Sequence, residues 1–238
     1  MKLTKKRIVL FLLFIFPLIC FLILSTGKNN FTKLPIITEN ILDVSTVDAT
    51  KTFKGHITIV CFIGNNIENS KGKGGFFNLN EKVYKKFIEY KKFQIIAIYP
   101  EGKEEDAKKL KNEIGAFTDM VKWKFISGSN QAITNLYESF KTNDSLNNMY
   151  TSKAFLVDKN GDLRGRNTDE DYLNGMLYGY NMKSVSELNA KLKDDVKVLY
   201  YEYYAAFKEK NIEDKSAMVE SPEVTLLAKL LVNSTLVD

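Results

Sequence analysis

Ile57-Thr58-Ile59-Val60-Cys61-Phe62-Ile63 and the stretch after it, Gly64-Asn65-Asn66-Ile67-Glu68-Asn69-Ser70-Lys71-Gly72-Lys73-Gly74-Gly75, decide how this 238-residue chain is read. Seven nearly continuous apolar residues mark a strand buried on both faces. A polar, glycine-rich segment follows, and it reads as a flexible loop. Asn78–Tyr90 then places Leu79, Val83 and Phe87 four apart, the stripe of an amphipathic helix. Phe93–Tyr99 is a second buried strand, stopped by Pro100 and Gly102.

Further along, Glu104-Glu105-Asp106 opens a helix with acids in its first turn, where the helix dipole favours them, and Ala107, Leu110 and Ile114 form its apolar stripe. Trp123–Ile126 predicts a short strand, and Ile133, Leu136, Tyr137 and Phe140 a short helix. Lys153–Asp158 and Asp162–Arg166 flank Asn160-Gly161, a hairpin signal because this pair tolerates positive φ. A long helix over about 185–210 carries Leu188, Leu192, Val196, Leu199, Tyr203 and Phe207. The order predicts an α/β domain with a mixed central sheet and helices on both faces. The domain is expected over 51–210, after a linker at 28–50 holding an edge strand, and before a tail at 211–238.

Residues 1–27 have a different composition. Lys2, Lys5, Lys6 and Arg7 precede Ile8–Leu24, 17 residues without a charge. Such a helix spans roughly 26 Å, slightly short of the ~30 Å hydrocarbon core. The segment reads as a signal-anchor, a transmembrane helix with its cationic flank in the cytoplasm, and a cleaved signal is the alternative. Ile19 before Cys20 speaks against a lipoprotein site. Location in the inner membrane, with the rest of the chain facing the periplasm, is the expectation.

Charge and reactive groups exclude much. The net charge of +5 comes mostly from that flank, and residues 28–238 carry 30 basic against 29 acidic groups. Nucleic acid is therefore not an expected partner. With one histidine, His56, and two cysteines, Cys20 and Cys61, neither a hydrolase triad nor a cysteine/histidine zinc site can be assembled. Cys61 reads as core packing and His56 as a capping or surface residue. Gly72-Lys73 lacks both the glycine five residues earlier and the following hydroxyl of a phosphate-binding loop. Asp158-Lys159-Asn160-Gly161-Asp162 has its glycine too early for a calcium loop and reads as a turn, and Asp169-Glu170-Asp171 as a solvated acidic loop. Tyr200, Tyr201, Tyr203 and Tyr204 read as core and rim, with a partner patch as the other possibility.

Phe53-Lys54-Gly55 with the first strand, Tyr99-Pro100-Glu101-Gly102, and Phe155 to Gly161 resemble the Sco/SenC branch of thioredoxin-like, peroxiredoxin-related proteins. The resemblance implies a three-layer thioredoxin-like fold, a membrane anchor, a periplasmic setting and a part in assembling the copper centre of cytochrome oxidase. It also implies a cysteine pair near Ile67 and Lys71 and a histidine at Tyr150. The loop holds no cysteine, position 150 is tyrosine, and no proline occurs between Pro100 and Pro222. Copper transfer and disulfide exchange therefore do not carry over, and no enzyme activity and no cofactor are expected. The expected function is a non-catalytic binding or assembly module with a protein partner in the periplasm. Asn65, Asn66, Glu68, Tyr150 and Thr151 are its candidate contact residues. The alternative is a copper or thiol factor with other ligands, such as Met149 and Tyr150, and a purely structural tether is a third reading.

Overall fold

A computed structural model describes residues 5–25, 33–66 and 70–219. The chain forms two compact units, Met1–Thr32 and Lys33–Asp238. The first holds helix α1 (Lys5–Ser25), with Pro17 inside it. Phe11, Leu13, Phe14, Phe16, Leu18, Phe21 and Leu22 are exposed around it. Among the described residues, no helix is long and apolar enough to cross a membrane. Side chains at 7–10, 12 and 23–25 lie outside that set. The single span expected over residues 1–27 is thus not a feature the described residues display.

The second unit runs β1 (Ile36–Thr38), β2 (Ile57–Ile63), α2 (Ser70–Leu79), α3 (Lys85–Phe87), β3 (Phe93–Pro100), α4 (Glu104–Gly115), β4 (Trp123–Gly128), α5 (Asn130–Ser139), β5 (Tyr150–Val157), β6 (Leu163–Arg164), β7 (Tyr180–Asn181), α6 (Val185–Glu187) and α7 (Lys193–Val219). Single π-helical turns, Asn80–Tyr84 and Leu188–Leu192, join α2 to α3 and α6 to α7. The sheet order is β1-β6-β5-β2-β3-β4, with β7 on β5. β2 pairs parallel with β3 and antiparallel with β5, and β4 extends the parallel side. A central β3-β2-β5-β6 path, two strands parallel and two antiparallel, is the thioredoxin-like arrangement. β4 and α5 are the inserted pair, and part of the stretch 28–50 supplies the edge strand β1.

β2 is apolar throughout because it feeds two cores. Ile57, Ile59, Cys61 and Ile63 join Leu79, Val83, Phe87, Leu110, Leu188, Leu192, Val196 and Leu199 on one face. Val60 and Phe62 join Val44, Ile133, Leu136, Phe140 and Phe155 on the other. Alternate side chains of a strand point to opposite faces, and here both are covered. Phe62 meets the rings of Tyr137, Phe140 and Phe155 edge-on, with centroids 5.2–6.1 Å apart. The apolar stripes expected for α4 and α5 are buried, and so are Leu188, Leu192, Val196 and Leu199 of the last one, whereas Tyr203 is half-buried and the Phe207 side chain lies outside the described residues.

Residues 71–75, expected as a flexible loop, are instead the body of α2. Glycine disfavours helix by about 1 kcal/mol per residue. Here close packing decides. A Cβ at Gly75 would stand 3.0 Å from Met182 Cβ, and one at Gly72 would touch the Tyr150 ring at 3.4–3.6 Å. Larger residues would hold the helix away from its neighbours.

Two ionic networks fasten the last helix to the sheet. Buried Asp158 accepts the amides of Asn160, Gly161 and Asp162 on Oδ1 (2.8–3.1 Å) and Arg164 Nε on Oδ2 (2.8 Å). Arg164 also donates to the Leu34 carbonyl and to Glu202 of α7 (3.3 Å). Asp158 is therefore engaged as a turn residue. Arg166 grips Asp195 through two bonds of 2.8 and 2.9 Å, and Tyr180 donates to the same carboxylate. Asp169, read from sequence as part of a solvated loop, is buried and paired with Lys191 and Arg166. The tertiary fold brings Lys191 over it from a distant segment.

Removing one partner of a buried pair leaves a desolvated charge and costs about 3–5 kcal/mol. Arg164→Ala is expected to lower the unfolding free energy in urea by about 3 kcal/mol, while Lys197→Ala, on the exposed Asp194 pair, changes it by less than about 1 kcal/mol.

Asp43 closes the entry to the domain. Burial alone would raise its pKa, but the Ser45 amide, the Thr52 hydroxyl and the Phe53 amide stabilise the carboxylate and hold it below the ordinary value. A carboxyl depressed in the folded state adds stability above its unfolded pKa and loses it as pH falls through the folded one. Unfolding free energy is expected to drop as pH is lowered below about 4, with a shallower drop in Asp43→Asn, read from urea titrations across that range.

Candidate functional site

The loop after β2 and the start of α2 meet the first residues of β5. β2 and β5 lose register here: Cys61 faces Ala154 and Ile63 faces Tyr150, so two steps on β2 span four on β5. Extra residues in one strand of a pair re-aim its side chains. Upstream, Asn147 and Tyr150 exchange two backbone bonds of 3.0 Å around Asn148 and Met149, at φ 51° and 60°. That is a two-residue turn with both central residues left-handed. The Asn65 amide donates to the Asn148 carbonyl at 2.9 Å, binding the post-β2 loop to this turn.

Tyr150 lies where the resemblance places a histidine. Its half-buried ring faces Gly72 in the first turns of α2, where an added Cβ would make ordinary contact with it at 3.4–3.6 Å. Burial pushes its hydroxyl pKa up, and nearby Cys61 adds to the shift. At Gly64 (φ 81°) a Cβ would stand 2.5 Å from Tyr150 Cβ and 2.9 Å from the Asn148 carbonyl oxygen, so glycine is required there. Cys61 is fully buried, and desolvation drives its thiol far above the ordinary range. A thiol held protonated inside a sheet is neither a nucleophile nor a soft metal ligand at neutral pH.

Of the candidate contact residues, Asn65 is half-buried, Asn66 exposed and Tyr150 half-buried, and these three gather at one mouth. Thr151 is only 9% exposed, and its Oγ1 accepts the Lys153 amide at 3.3 Å. Glu68 and Ile67 lie outside the described residues. Met149 and Tyr150 diverge: Met149 packs with the α5-side core and Tyr150 with the Cys61-side core. Lys73 is paired with Glu113 of α4 at 3.0 Å. Among the described residues, no group of three or more His, Cys, Asp or Glu stands ready for a metal ion.

At the far end of β2, half-buried His56 holds its Nδ1 3.1 Å from the Lys54 carbonyl. A groove of about 760 Å³ opens there, lined by Tyr90, Lys91, Lys92, Lys159, Tyr200, Tyr203 and Tyr204 among others. Tyr203 is half-buried, whereas Tyr200, Tyr201 and Tyr204 are exposed. The sequence signal for this groove was Tyr90-Lys91-Lys92 just before β3, which only the fold sets beside the α7 tyrosines.

The strand order and the thiol-free mouth define a thioredoxin-like domain without the cysteine pair of that class. No family model matches the chain, and no curated protein is significantly similar to it. Its structural neighbours include Sco/SenC family proteins. One is BsSco, a member of the Sco family of cytochrome c oxidase assembly proteins, at 16% identity and TM-score 0.48, covering 69% of this chain and 94% of that one. Another is a Sco/SenC family lipoprotein from Bacillus anthracis, at 14% identity and TM-score 0.44, covering 73% and 99%. A third is copper-bound ScoI from Bradyrhizobium japonicum, at 18% identity and TM-score 0.34, covering 58% and 83%. At these identities and scores the fold assignment rests on the strand order itself.

A methyl group at Gly64 meets both a left-handed backbone and the Tyr150 side chain. Gly64→Ala is expected to destabilise by about 2 kcal/mol or more, while Gly74→Ala, in open space on α2, stabilises by up to about 1 kcal/mol, both read as shifts of the urea midpoint.

Proposed function

We propose that this chain is a membrane-anchored, periplasm-facing binding or assembly module that uses the mouth of a thioredoxin-like domain as a contact surface and performs no thiol chemistry. The observation that carries this reading is a mouth with no cysteine from Gly64 to Gly75 and with Tyr150 facing Gly72, beside a thiol sealed within the sheet. Asn65, Asn66 and the Tyr150 edge leave amide and aromatic surface for a protein partner. Anchoring is supported by the charge-free run Ile8–Leu24 and by exposed apolar side chains from Phe11 to Leu22 of α1. A helix that is apolar all round does not remain in water. Four cations before the run favour an orientation that leaves residues 28–238 outside the cytoplasm.

The purified full chain in detergent is expected to give no insulin-reduction turnover above background, with Cys61→Ser indistinguishable from it. Turnover that disappears in Cys61→Ser would overturn the reading. The second reading is a copper or thiol factor of cytochrome oxidase assembly, supported by the strand order shared with Sco-type proteins. Equilibrium dialysis against cuprous ion separates the two: the non-catalytic reading expects no tight one-to-one uptake.

A further inference from the structure

The groove of about 760 Å³ lies where Ile57 and Phe93 begin β2 and β3 and Lys159 follows β5, the end of the sheet opposite the candidate mouth. Its floor is core, for Ile57, Phe93 and Val196 are buried. Its walls are rings: Tyr90 comes from the segment before β3, and Tyr200, Tyr203 and Tyr204 come from α7. The Tyr90 and Tyr200 centroids are 4.3 Å apart, so these two rings form one continuous wall. A concave, aromatic-lined site on the ends of packed strands and a helix, within roughly 300–1,000 Å³, has the character of a small-molecule site.

The charge of the groove is one-sided. Lys91, Lys92 and Lys159 line it, with Glu89 the one acid among the lining residues. Lys91 and Lys92 are exposed, whereas Lys159 is half-buried, its Nζ 4.3 Å from the Tyr203 ring centroid. The Lys159 amide donates to the Tyr203 hydroxyl at 3.2 Å, which holds lysine and ring together. Among the described residues, none of these three lysines is in an ion pair. Asp158 and Glu202, next to Lys159 and Tyr203 in the chain, are engaged by Arg164 at 2.8 and 3.3 Å. Burial, then Lys92, lowers the Lys159 pKa, as happens to an ammonium that lacks a counter-ion. Excess positive charge disfavours a metal cation here and favours an anion. A partly desolvated ammonium gains more from a carboxylate than one in water does. Ring walls favour a ring over a chain, because offset and edge contacts between aromatic groups add to simple burial.

We propose that this groove is a binding site for a small aromatic carboxylate, whose ring packs among Tyr90, Tyr200 and Tyr204 and whose carboxylate meets Lys159. Lys91 and Lys92 add to the positive field at the opening and draw the anion in. The site goes beyond the reading of the mouth and depends neither on Cys61 nor on an anchor.

The test uses the full chain in phosphatidylcholine nanodiscs, since detergent would compete for an apolar groove, and measures cinnamate uptake by equilibrium dialysis against empty discs. Saturable one-to-one uptake is expected, weakened about tenfold in Lys159→Gln and about fivefold in Tyr204→Ala. The Tyr204 ring is 60% exposed, so its removal spares the core and keeps the test decisive should Lys159→Gln lower stability. Bound cinnamate should slow amine labelling of Lys159, read by mass spectrometry, and leave Lys103, at the other end of β3, unchanged. Neutral cinnamamide and the straight-chain anion octanoate should each bind about tenfold more weakly than cinnamate. Absence of saturable uptake overturns the proposal, and so does uptake that neither variant weakens. Equal affinity for cinnamamide removes the anion from the assignment, equal affinity for octanoate removes the ring, and either result overturns it.

Discussion

β2 is the constraint on which the rest of the domain depends. It hydrogen-bonds to β3 on one edge and β5 on the other, and it sends alternate side chains into two separate cores. Each of its seven residues is therefore in contact with protein on every side, and each is chosen by packing. That explains why Cys61 is the size it is and why its thiol is silent. A sulfur at this position fills space between Ala154 and Ala97, its partners in register, and has no route to water.

The second constraint joins distant parts of the chain. Arg164 connects Leu34 at the start of the domain, the β5–β6 turn through Asp158, and α7 through Glu202. Arg166, Asp195 and Tyr180 repeat the theme about two turns earlier on the helix. Buried charges of this kind add little net stability compared with an apolar core, but they are demanding about geometry. Here they set where α7 lies, and with it the tyrosine groove beside the chain's point of entry.

The candidate mouth keeps the thioredoxin-like scaffold without its cysteine pair. The fold still brings a loop, a helix start and the head of β5 together. The irregular register between β2 and β5 aims Tyr150 at α2, and glycine at 64 leaves room for it. A reactive thiol needs an exposed sulfur near the helix amino terminus, and the stretch from Gly64 to Gly75 carries no cysteine. Shape and hydrogen-bonding groups survive there, and these suit recognition.

Much of this was legible in the residues alone, for a reason that can be stated. Strands buried on both faces and helices with one apolar stripe write their periods directly into sequence, so β2, β3, the α4 stripe and the Leu188–Leu199 stripe were readable, and so was the Asn160-Gly161 turn. The missing cysteines were equally plain. Residues 71–75 misled because glycine's local preference opposes helix, and the close approach of Met182 to Gly75 is set only by the fold. Asp169 misled because its partner, Lys191, is 22 residues away. Composition and periodicity determined which segments must be buried and which reactive side chains the chain lacks. Tertiary structure alone decided which glycine admits which ring and which charge finds a partner, because those depend on close approach between segments far apart in the chain.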